Sequence, residues 1–581
     1  MKKYKLILLS LLSGIIFTIS WPEKGLPVFL FFAFIPLLFI EDFISRNKGR
    51  FNIISVFLYT YPGFFVWNVL TTWWIWNSTT FGAVVAVVFN SLFMALVFQL
   101  FQFTKKTLQH RFHGYWALLF YWMSFEFLHL DWDLSWTWLN LGNGFGAYTE
   151  WIQWYEITGA FGGTLWILLL NILLFEWLKN AFLKNWKLVK RLSIVSAVLL
   201  LVPVALSYVR YYTYEEKIHP VDVVVVQQNV DPYNEQYELP PQIIVKKLID
   251  VAKTKLDSAV DYMVCPESAL QEYLWEDQLD RSLSLDSLYL LIDRYPKLRI
   301  VLGISTRKIY RNESEITATA RKMDEGKMWY DVFNTAMYLD AGHKPQFYHK
   351  SKLVPGVEMM PFPKLLKPLE KFAVDLGGMT GSHGKDLERK VFVPTKGSVP
   401  IGACICYESI YGDFLTGFVR NGAQLLFVIT NDGWWGDTQG YKQHFLFSKI
   451  RAVETRRSIA RAANTGKSAF FNQRGDVFQS TSWWQPACIR QQLNANTEIT
   501  FYVKYGDYIG KISLLLGALL MLVTLFRWNS FLLGIYLGCF LILSSLYFSL
   551  TRITISFIVG VLLIVISIVM KLMKRGKKKA D

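Results

Sequence analysis

Long apolar runs at both ends of the chain, separated by a long stretch without them, restrict what this sequence can fold into. Each run approaches the length that spans a bilayer core of about 30 Å. The runs lie at roughly 6–21, 27–40, 53–76, 82–103, 114–130, 160–178, 192–209, 511–526, 529–550 and 553–570. We therefore predict a multi-span α-helical membrane protein, in keeping with a chain that is 52% hydrophobic and 16% aromatic.

The stretch between the two apolar regions has the composition of a globular domain. From 215 to 505, runs rich in β-branched residues alternate with helical patterns, which is typical of an α/β sheet architecture. This length suffices for a separate core, since domains commonly hold about 100 to 200 residues. The predicted organisation is a seven-span region at 1–212, a globular domain at 215–505 and a C-terminal region of about three spans at 508–581.

The positions of Lys and Arg predict the orientation in the membrane, because basic loops stay on the cytoplasmic side. Basic residues crowd the N-terminus, the second, fourth and sixth loops and the C-terminal tail. The segment 112–178, which includes a Trp-rich loop at 131–159, has none. Both termini are therefore predicted to be cytoplasmic, with the Trp-rich loop and the 215–505 domain on the opposite side.

The net charge of +16 does not indicate a nucleic-acid partner. Its basic clusters lie largely where the topology requires them and can meet anionic lipid headgroups. The first apolar run also fits a cleaved signal peptide, although it ends in Thr18, Ile19 and Ser20 rather than in an Ala-x-Ala site. Its removal would leave the remaining topology unchanged.

The five cysteines, an odd and sparse set, make a poor disulfide framework. Cys404 and Cys406 would need further ligands to hold a metal, and the candidates His349 and His444 show no zinc-type spacing. We expect no metal, so the reactivity of the thiols becomes the more informative property.

Three reactive side chains each follow a predicted strand. Glu267 lies at the end of DYMVCPES, Lys350 at the end of QFYHK, and Cys406 at the end of VPIGACIC, before a helix predicted to start near Ser409. Catalytic residues favour such strand ends. A thiol at a strand-to-helix turn lies near the positive end of a helix, so we predict a lowered pKa for Cys406.

Acyl transfer through a thioester needs these kinds of group. A base must take the thiol proton and return it to the leaving group, and Glu267 can do so. Positive charge or N–H donors must meet the tetrahedral oxyanion, and Lys350 and the amide of Tyr407 can supply them. Taken singly, each residue also fits an ordinary structural role, Cys406 for example as a small buried apolar side chain.

Four motifs accompany these residues: VQQN at 226–229, KSKLVPGVE at 350–358, CYE at 406–408 and TNDGWWG at 430–436. In this order, with PES around Glu267, they resemble the nitrilase superfamily, also called carbon-nitrogen hydrolases. The resemblance is closer still to the apolipoprotein N-acyltransferases, which carry a nitrilase domain after several membrane spans. It covers about 1–526 and implies a nitrilase-type αββα sandwich as the catalytic domain.

The resemblance implies a Glu, Lys, Cys triad. In it Glu267 is the general base, Lys350 stabilises the oxyanion and Cys406 carries the acyl thioester. Glu358 would hold Lys350 or the intermediate. The family's positions beside the nucleophile correspond to Tyr407 and Glu408.

Other features fit a lipid substrate. Trp434 and Trp435, in a Gly-flanked loop, fit either the lipid headgroup level or ordinary core packing. Tyr237 falls near an aromatic position that shapes the lipid entrance in the resembled family. The segment 359–373 mixes apolar residues with lysines like an interfacial amphipathic arm. Glu126, a carboxylate inside the fifth run, is predicted to be mainly structural.

The resemblance also implies the reaction and its place. At the bacterial inner membrane, with the catalytic domain on the periplasmic side, a phospholipid would acylate Cys406; in this family the donor is typically phosphatidylethanolamine. The α-amine of the diacylated N-terminal cysteine of an apolipoprotein would then take the acyl chain. No cofactor is implied.

Other functions remain open at this point. A membrane-tethered amidase or nitrilase would use the same triad with water as the acceptor. A transporter would show paired, interrupted spans, which the sequence lacks, and an inactive lipid or lipoprotein binder would not need an intact triad. The apolar runs at 529–570 exceed the family's single last span, and we predict that deleting 529–581 leaves acyl-enzyme formation intact.

Overall fold

The fold is described from a computed structural model of the chain, for residues 2–108, 114–323, 328–361, 382–395 and 397–528 and for short helical pieces between 534 and 568. The predicted arm at 359–373 and the predicted runs at 529–550 and 553–570 lie largely outside the described residues.

Fourteen helices of the α type are numbered along residues 2–528 of the described chain. They are α1 (Lys3–Ser20), α2 (Ile35–Arg46), α3 (Ser55–Thr72), α4 (Thr80–Leu108), α5 (Tyr115–Leu128), α6 (Tyr155–Thr158), α7 (Ala160–Phe182), α8 (Trp186–Thr213), α9 (Pro241–Ala252), α10 (Leu283–Arg294), α11 (Gly412–Arg420), α12 (Gln439–Thr455), α13 (Phe501–Tyr505) and α14 (Tyr508–Trp528).

The apolar runs form helices as predicted. Within the described residues, six helical segments are long and apolar enough to cross a membrane: α1, α4, α7, α8, α14 and the segment Pro27–Arg46, which contains α2. The predicted third and fifth spans are helical too, as α3 and α5, and pack against these segments. Each of the seven predicted N-terminal spans therefore corresponds to a helix.

Small residues allow α1 and α3 to approach closely. A Cβ atom placed on Gly14 would lie 2.4 Å from the backbone oxygen of Gly63, and one on Gly63 would lie 2.4 Å from that of Ser10. Small residues at helix crossings are the usual way for membrane helices to gain packing contacts, because lipid offers no hydrophobic drive for their association.

The Trp-rich loop packs between the helices and the globular domain. It contains short 3-10 turns at Thr137–Leu139, Leu141–Phe145 and Thr149–Trp151, followed by α6. The indole Nε1 of Trp138 donates to Gln443 Oε1 of α12 over 2.7 Å. This loop therefore connects the helical part to the domain that follows it.

Thirteen strands in the described chain form two sheets. The first has the order β13-β1-β2-β4-β6-β5, with β3 beside β4 and β7 beside β6, and the second has the order β12-β11-β10-β9-β8. The strands are β1 (Pro220–Gln227), β2 (Tyr262–Val264), β3 (Leu270–Trp275), β4 (Arg299–Tyr310), β5 (Arg321–Lys322), β6 (Trp329–Leu339), β7 (Gln346–His349), β8 (Ile401–Ile405), β9 (Leu425–Thr430), β10 (Ile459–Ala463), β11 (Ala469–Phe471), β12 (Val477–Phe478) and β13 (Ala487–Asn494).

The two sheets pack face to face with helices outside. Side chains alternate between the two faces of a strand, so Val223 and Val225 of β1 enter the core that includes Phe427 of the second sheet. Val224 and Val226 enter a separate core with α9 and α10. Helices α11 and α12 pack on the second sheet. The layers run helix, sheet, sheet, helix, which confirms the predicted sandwich.

Candidate active site

The structure brings together three strand-end side chains that the sequence singles out. Glu267 follows β2, Lys350 directly follows β7, and Cys406 directly follows β8. The Lys350 ammonium lies 3.0 Å from Glu267 Oε1. Cys406 is close enough for both groups to affect its thiol electrostatically. All three side chains are nearly buried, with exposed fractions of 6%, 1% and 7% in chain order.

The carboxylate of Glu267 is held by three donors. Besides Lys350, Asn334 Nδ2 donates to Oε1 over 2.7 Å, and the backbone N–H of Asn431 donates to Oε2 over 3.0 Å. Gly303 of β4 lies directly against this segment, since a Cβ atom there would come within 2.5 Å of the Cα of Glu267. These contacts fix both the position and the orientation of the carboxylate.

Lys350 stands between two carboxylates. Its Nζ lies 2.8 Å from Glu358 Oε1 as well as near Glu267. Burial alone would lower the pKa of Lys350, but the two carboxylates outweigh burial and raise it well above its ordinary value. Burial likewise opposes the charge of Glu358, and Lys350 outweighs it and lowers the pKa of that carboxyl. The two carboxylates therefore favour the charged form of the ammonium.

Cys406 occupies a strained position at the start of a turn. Its φ angle of 49° is in the left-handed region, which is uncommon for a residue other than glycine. Such a backbone costs on the order of 1 kcal/mol or more and persists only where its surroundings enforce it. The turn, Cys406–Ile410, is a five-residue 3-10 helix, and α11 begins only at Gly412.

The predicted lowering of the Cys406 pKa is wrong for this structure. Burial raises the pKa of the thiol well above its ordinary value, and the Glu267 carboxylate raises it further, while Lys350 opposes this change. The short 3-10 turn supplies little of the dipole that a long helix would. Burial and the Glu267 carboxylate therefore both favour the neutral form of the thiol.

Glu408 connects the chain segments on either side of Cys406. Its carboxylate is fully buried and accepts hydrogen bonds from the backbone N–H of Ile405 (2.8 Å), the backbone N–H of Ser351 (2.6 Å) and the hydroxyl of Tyr348 (2.6 Å). Burial raises the pKa of Glu408 to about 7. Glu408 thereby ties the segment that carries Lys350 to the end of β8.

Tyr407 joins the nucleophile to the Trp-rich loop. Its hydroxyl donates to the backbone oxygen of Ser135 over 3.1 Å, and its ring lies parallel to that of Trp136 with centroids 6.4 Å apart. The residue after the nucleophile is therefore anchored on the membrane-helix side of the molecule.

A cavity of about 450 Å³ reaches Glu267, Lys350 and Cys406 and is bounded by both parts of the chain. One wall comes from α4 and the turn before it, and another from the loop 354–361 after Lys350. Most of the lining is apolar. The helical wall includes Trp74, Ile75, Phe81, Val85, Phe89 and Phe93.

The predicted lipid-contacting residues differ in their relation to this cavity. Trp434 and Trp435 both line it, and the ring of Trp435 packs against Trp74 with centroids 4.8 Å apart. Tyr237 is not among the lining residues and instead lies parallel to the Trp434 ring, with centroids 6.4 Å apart. Tyr233 has the more direct contact, because its hydroxyl donates to the Trp434 carbonyl over 2.8 Å.

Sequence reasoning missed Asn334. It lies within β6 and its Nδ2 reaches both Glu267 Oε1 (2.7 Å) and Glu358 Oε1 (3.0 Å). The available signal was an adjacent pair of polar residues, Asn334 and Thr335, within the mostly apolar stretch VFNTAMYL. Glu126 lies outside the site and accepts from Trp122, Leu141 and Thr164, in keeping with a structural role.

The described residues contain no group of three or more His, Cys, Asp or Glu side chains arranged to hold a metal ion. All five cysteines are free thiols. The site therefore consists of a thiol, two carboxylates, an ammonium and amide donors facing an apolar cavity.

Two family comparisons match successive parts of the chain. Residues 13–173 match the apolipoprotein N-acyltransferase N-terminal domain, and residues 225–497 match the carbon-nitrogen hydrolase domain. The chain is therefore similar to the apolipoprotein N-acyltransferases in both its helical part and its α/β part. It is an enzyme and a membrane protein, as the resemblance in its motifs predicts.

Two curated apolipoprotein N-acyltransferases match along nearly their whole length. The protein of Chlorobaculum tepidum is 28% identical over 89% of this chain and 96% of its own. That of Thermotoga maritima is 26% identical over 90% of this chain and 94% of its own. Among solved structures, a nitrilase-superfamily member from Saccharomyces cerevisiae is 15% identical, with a TM-score of 0.33 over 47% of this chain and 90% of its own.

Proposed function

We propose that this enzyme transfers an acyl chain from a membrane phospholipid to the α-amine of the N-terminal S-diacylglyceryl-cysteine of apolipoproteins. The observation that carries the proposal is the cavity itself. A thiol, a carboxylate and an ammonium meet at an apolar cavity of about 450 Å³ with a wall of membrane helix, which suits a reacting ester attached to a lipid chain.

In the first step Glu267 takes the proton of Cys406 as the sulfur attacks the ester carbonyl of the phospholipid. The oxyanion that forms is met by Lys350 and by the backbone N–H of Tyr407. The carbon–oxygen bond then breaks, and the leaving oxygen takes the proton from Glu267. A lysophospholipid departs and the acyl chain remains on Cys406 as a thioester.

In the second step the acceptor amine attacks the thioester, and Glu267 takes its proton. The carbon–sulfur bond breaks, the new amide leaves, and the proton passes from Glu267 to the sulfur of Cys406. The free enzyme is restored with its thiol neutral. In both steps Glu358 keeps Lys350 in place and Glu408 supports the nucleophile loop.

The proposal extends to the arrangement in the membrane. The region 1–212 and the C-terminal region 508–581 anchor the enzyme in the bacterial inner membrane, with both termini cytoplasmic. The catalytic domain at 215–505 stands on the periplasmic side. Phosphatidylethanolamine is the proposed acyl donor, and Trp434 and Trp435 are proposed to contact the lipid, with Tyr237 behind Trp434.

The test is the intact mass of the purified full-length protein after incubation with phosphatidylethanolamine. Wild type should gain one acyl mass, which hydroxylamine removes because it cleaves thioesters. Cys406→Ala should gain none, whereas Cys404→Ala, a change at a fully buried thiol two residues away, should still be acylated. Addition of a diacylated lipopeptide should then discharge the adduct onto its amine.

Two results would contradict the proposal. An adduct that is absent from wild type, with no lysophospholipid released, would mean that phospholipid is not the acyl donor. An adduct that water discharges as fast as the lipopeptide does would identify a hydrolase of the amidase type instead.

A further inference from the structure

A cluster of four polar side chains lies next to Cys406, outside the lining of the cavity. Ser409, Asp432, His444 and Arg461 are each fully buried. None of them is among the residues that line the cavity. Burying polar side chains costs free energy unless they are hydrogen-bonded, so the hydrogen bonds of this cluster must offset that cost.

The cluster meets at the carbonyl oxygen of Cys406. Ser409 Oγ donates to this oxygen over 2.7 Å, and His444 Nε2 lies 3.1 Å from it. Ser409 Oγ and His444 Nε2 are themselves 2.7 Å apart. The three atoms form a closed triangle, so the carbonyl of the nucleophile is held from two directions.

A hydrogen on Nε2 of His444 satisfies all three contacts. The ring then donates towards Ser409 Oγ and the Cys406 oxygen, while the serine hydroxyl donates to that oxygen. Arg461 Nη2, which lies 3.0 Å from Nδ1, can donate to the other ring nitrogen. With the hydrogen on Nδ1 alone, Ser409 would have one hydrogen to share between His444 and Cys406.

Asp432 acts on the ring through Arg461, because with the hydrogen on Nε2 the bare Nδ1 cannot donate to a carboxylate. Its Oδ2 accepts from Arg461 over 2.7 Å and its Oδ1 accepts from the Thr430 hydroxyl over 2.7 Å, so Arg461 is held where it can donate to Nδ1. Burial opposes the charge of Asp432, but Arg461 and His444 outweigh it and lower the pKa to about 2. Burial and the Arg461 charge lower the pKa of His444, which favours its neutral form.

The carbonyl of Cys406 and the N–H of Tyr407 belong to one peptide unit. That unit is planar, and in its trans form the C=O and the N–H point in opposite directions. Hydrogen bonds to the Cys406 oxygen therefore fix the direction in which the Tyr407 N–H points. As one of the first amides of the 3-10 turn, Tyr407 N–H has no carbonyl partner within that turn and is free to serve the oxyanion.

We propose that His444 and Ser409 are positioning residues for the oxyanion site. Backed by Asp432 and Arg461, they hold the Cys406 carbonyl so that the strained backbone of the nucleophile is maintained and the Tyr407 N–H points at the reacting carbonyl. This inference rests on the proposed function, because it assigns the N–H to the oxyanion of the phospholipid ester.

The test compares His444→Gln with His444→Asn in the full-length enzyme. A glutamine amide can occupy the place of the imidazole Nε2 and donate to the Cys406 oxygen, whereas an asparagine amide reaches only the place of Nδ1. The single-turnover rate of acyl-enzyme formation is measured by intact mass over a range of phosphatidylethanolamine concentrations. This separates the maximal rate from the half-saturating concentration.

The Asn variant should lose about 10- to 100-fold in maximal rate, a part of the 10²- to 10³-fold typical for losing an oxyanion donor. The half-saturating concentration should stay unchanged, because the cavity lining is intact. The Gln variant should recover most of the rate. Ser409→Ala should lose maximal rate to a similar extent as His444→Asn. It provides the test if His444→Asn does not fold.

The matched control is Ser458→Ala. Ser458 is also buried, and its hydroxyl also donates to a backbone oxygen, that of Asn494, over 2.9 Å. This variant should lose stability like Ser409→Ala but keep the wild-type maximal rate. Equal losses of rate in both serine variants would overturn the inference, since the effect would then be one of stability.

Other outcomes overturn it as well. Wild-type rates in His444→Asn and Ser409→Ala, equal losses in the Gln and Asn variants, or a raised half-saturating concentration with an unchanged maximal rate would each remove the positioning role. A wild-type enzyme that forms no acyl adduct would instead overturn the proposed function, and this inference with it.

Discussion

The charge balance at Lys350 is the central feature at the scale of single residues. One ammonium lies within 3.0 Å of two carboxylates, Glu267 and Glu358, so the buried group carries one net negative charge. Buried charge without compensation is costly, and hydrogen-bond donors reduce that cost. Asn334 supplies one donor that reaches both carboxylates. Its amide N–H group therefore stabilises part of the negative charge that Lys350 does not neutralise.

Replacement of Asn334 tests this balance. Asn334→Leu should slow acyl-enzyme formation by about 10- to 100-fold, since a hydrogen bond to a charged group is worth about 1.5–3 kcal/mol. Asn334→Asp should be worse, because a third carboxyl group joins a single ammonium. Single-turnover intact mass measures both. Asn421→Asp, at an exposed asparagine directly after α11, should leave the rate unchanged, and wild-type rates for Asn334→Asp would contradict the argument.

At the scale of elements, the site depends on the ends of strands that belong to different sheets. β2 and β7 lie in the first sheet and deliver Glu267 and Lys350, whereas β8 lies in the second and delivers Cys406. The site therefore exists only when the two sheets pack at the right separation. A small change in the packing next to one strand end should move one of the three side chains, Glu267, Lys350 or Cys406, relative to the other two.

The substitution Gly303→Ala in β4 would change the packing in this way. A Cβ atom there would come within 2.5 Å of Glu267 Cα and 2.6 Å of Ser268 N, so the backbone of the Glu267 segment must move. Gly303→Ala should reduce acyl-enzyme formation by at least about 10-fold, since misplacement by about 1 Å is enough for a loss of up to about 10²-fold. The same rate assay checks this. Gly49→Ala, where the added atom meets nothing within 4 Å, is the matched control, and equal rates for both would refute the steric argument.

At the scale of the whole molecule, α12 joins the two parts of the enzyme. Gln443 accepts from Trp138 of the Trp-rich loop, and Glu454 Oε1 accepts from the backbone N–H of Ala160 at the start of α7 over 2.9 Å. The same helix carries His444, next to Cys406. The catalytic domain and the membrane helices therefore share one packed element, and changes at their junction can reach the site.

Glu454 makes this junction sensitive to pH. Burial raises its pKa from 4.5 to about 7, and Arg451 opposes the rise. The folded state then holds a proton that the unfolded state releases, so stability is greatest below pH 4.5 and falls as pH rises to 7. The loss is about 3 kcal/mol at most.

Thermal unfolding in detergent between pH 5 and 8 measures this effect. Glu454→Gln should unfold with a midpoint that depends less on pH than that of wild type. Asp507 should leave some pH dependence of the same sign in this variant, because burial also raises its pKa to about 7. A wild-type midpoint that rises with pH over this range would contradict the argument.

The sequence by itself determined the helices of the apolar runs, the α/β character of the globular domain and the three strand-end residues, whereas the sandwich was implied by the resemblance to the nitrilase superfamily. Apolar runs and alternating strands are local patterns that lead directly to helices and sheets, because backbone hydrogen bonding leaves few choices for such segments. Glu267, Lys350 and Cys406 were found because each ends a strand within a recognisable motif. The distances between these three side chains could not be predicted from the motifs.

Only the tertiary structure decided the electrostatics and the support of the site. The raised pKa of Cys406 depends on burial and on a carboxylate 139 positions earlier in the chain, neither of which a local pattern contains. Asn334 and His444 acquire their roles from side chains and backbone atoms that come close only when both sheets and α12 are packed. Hydrogen bonds require donor and acceptor within about 3.2 Å, and burial requires surrounding atoms, so both follow from the folded arrangement and not from the order of residues.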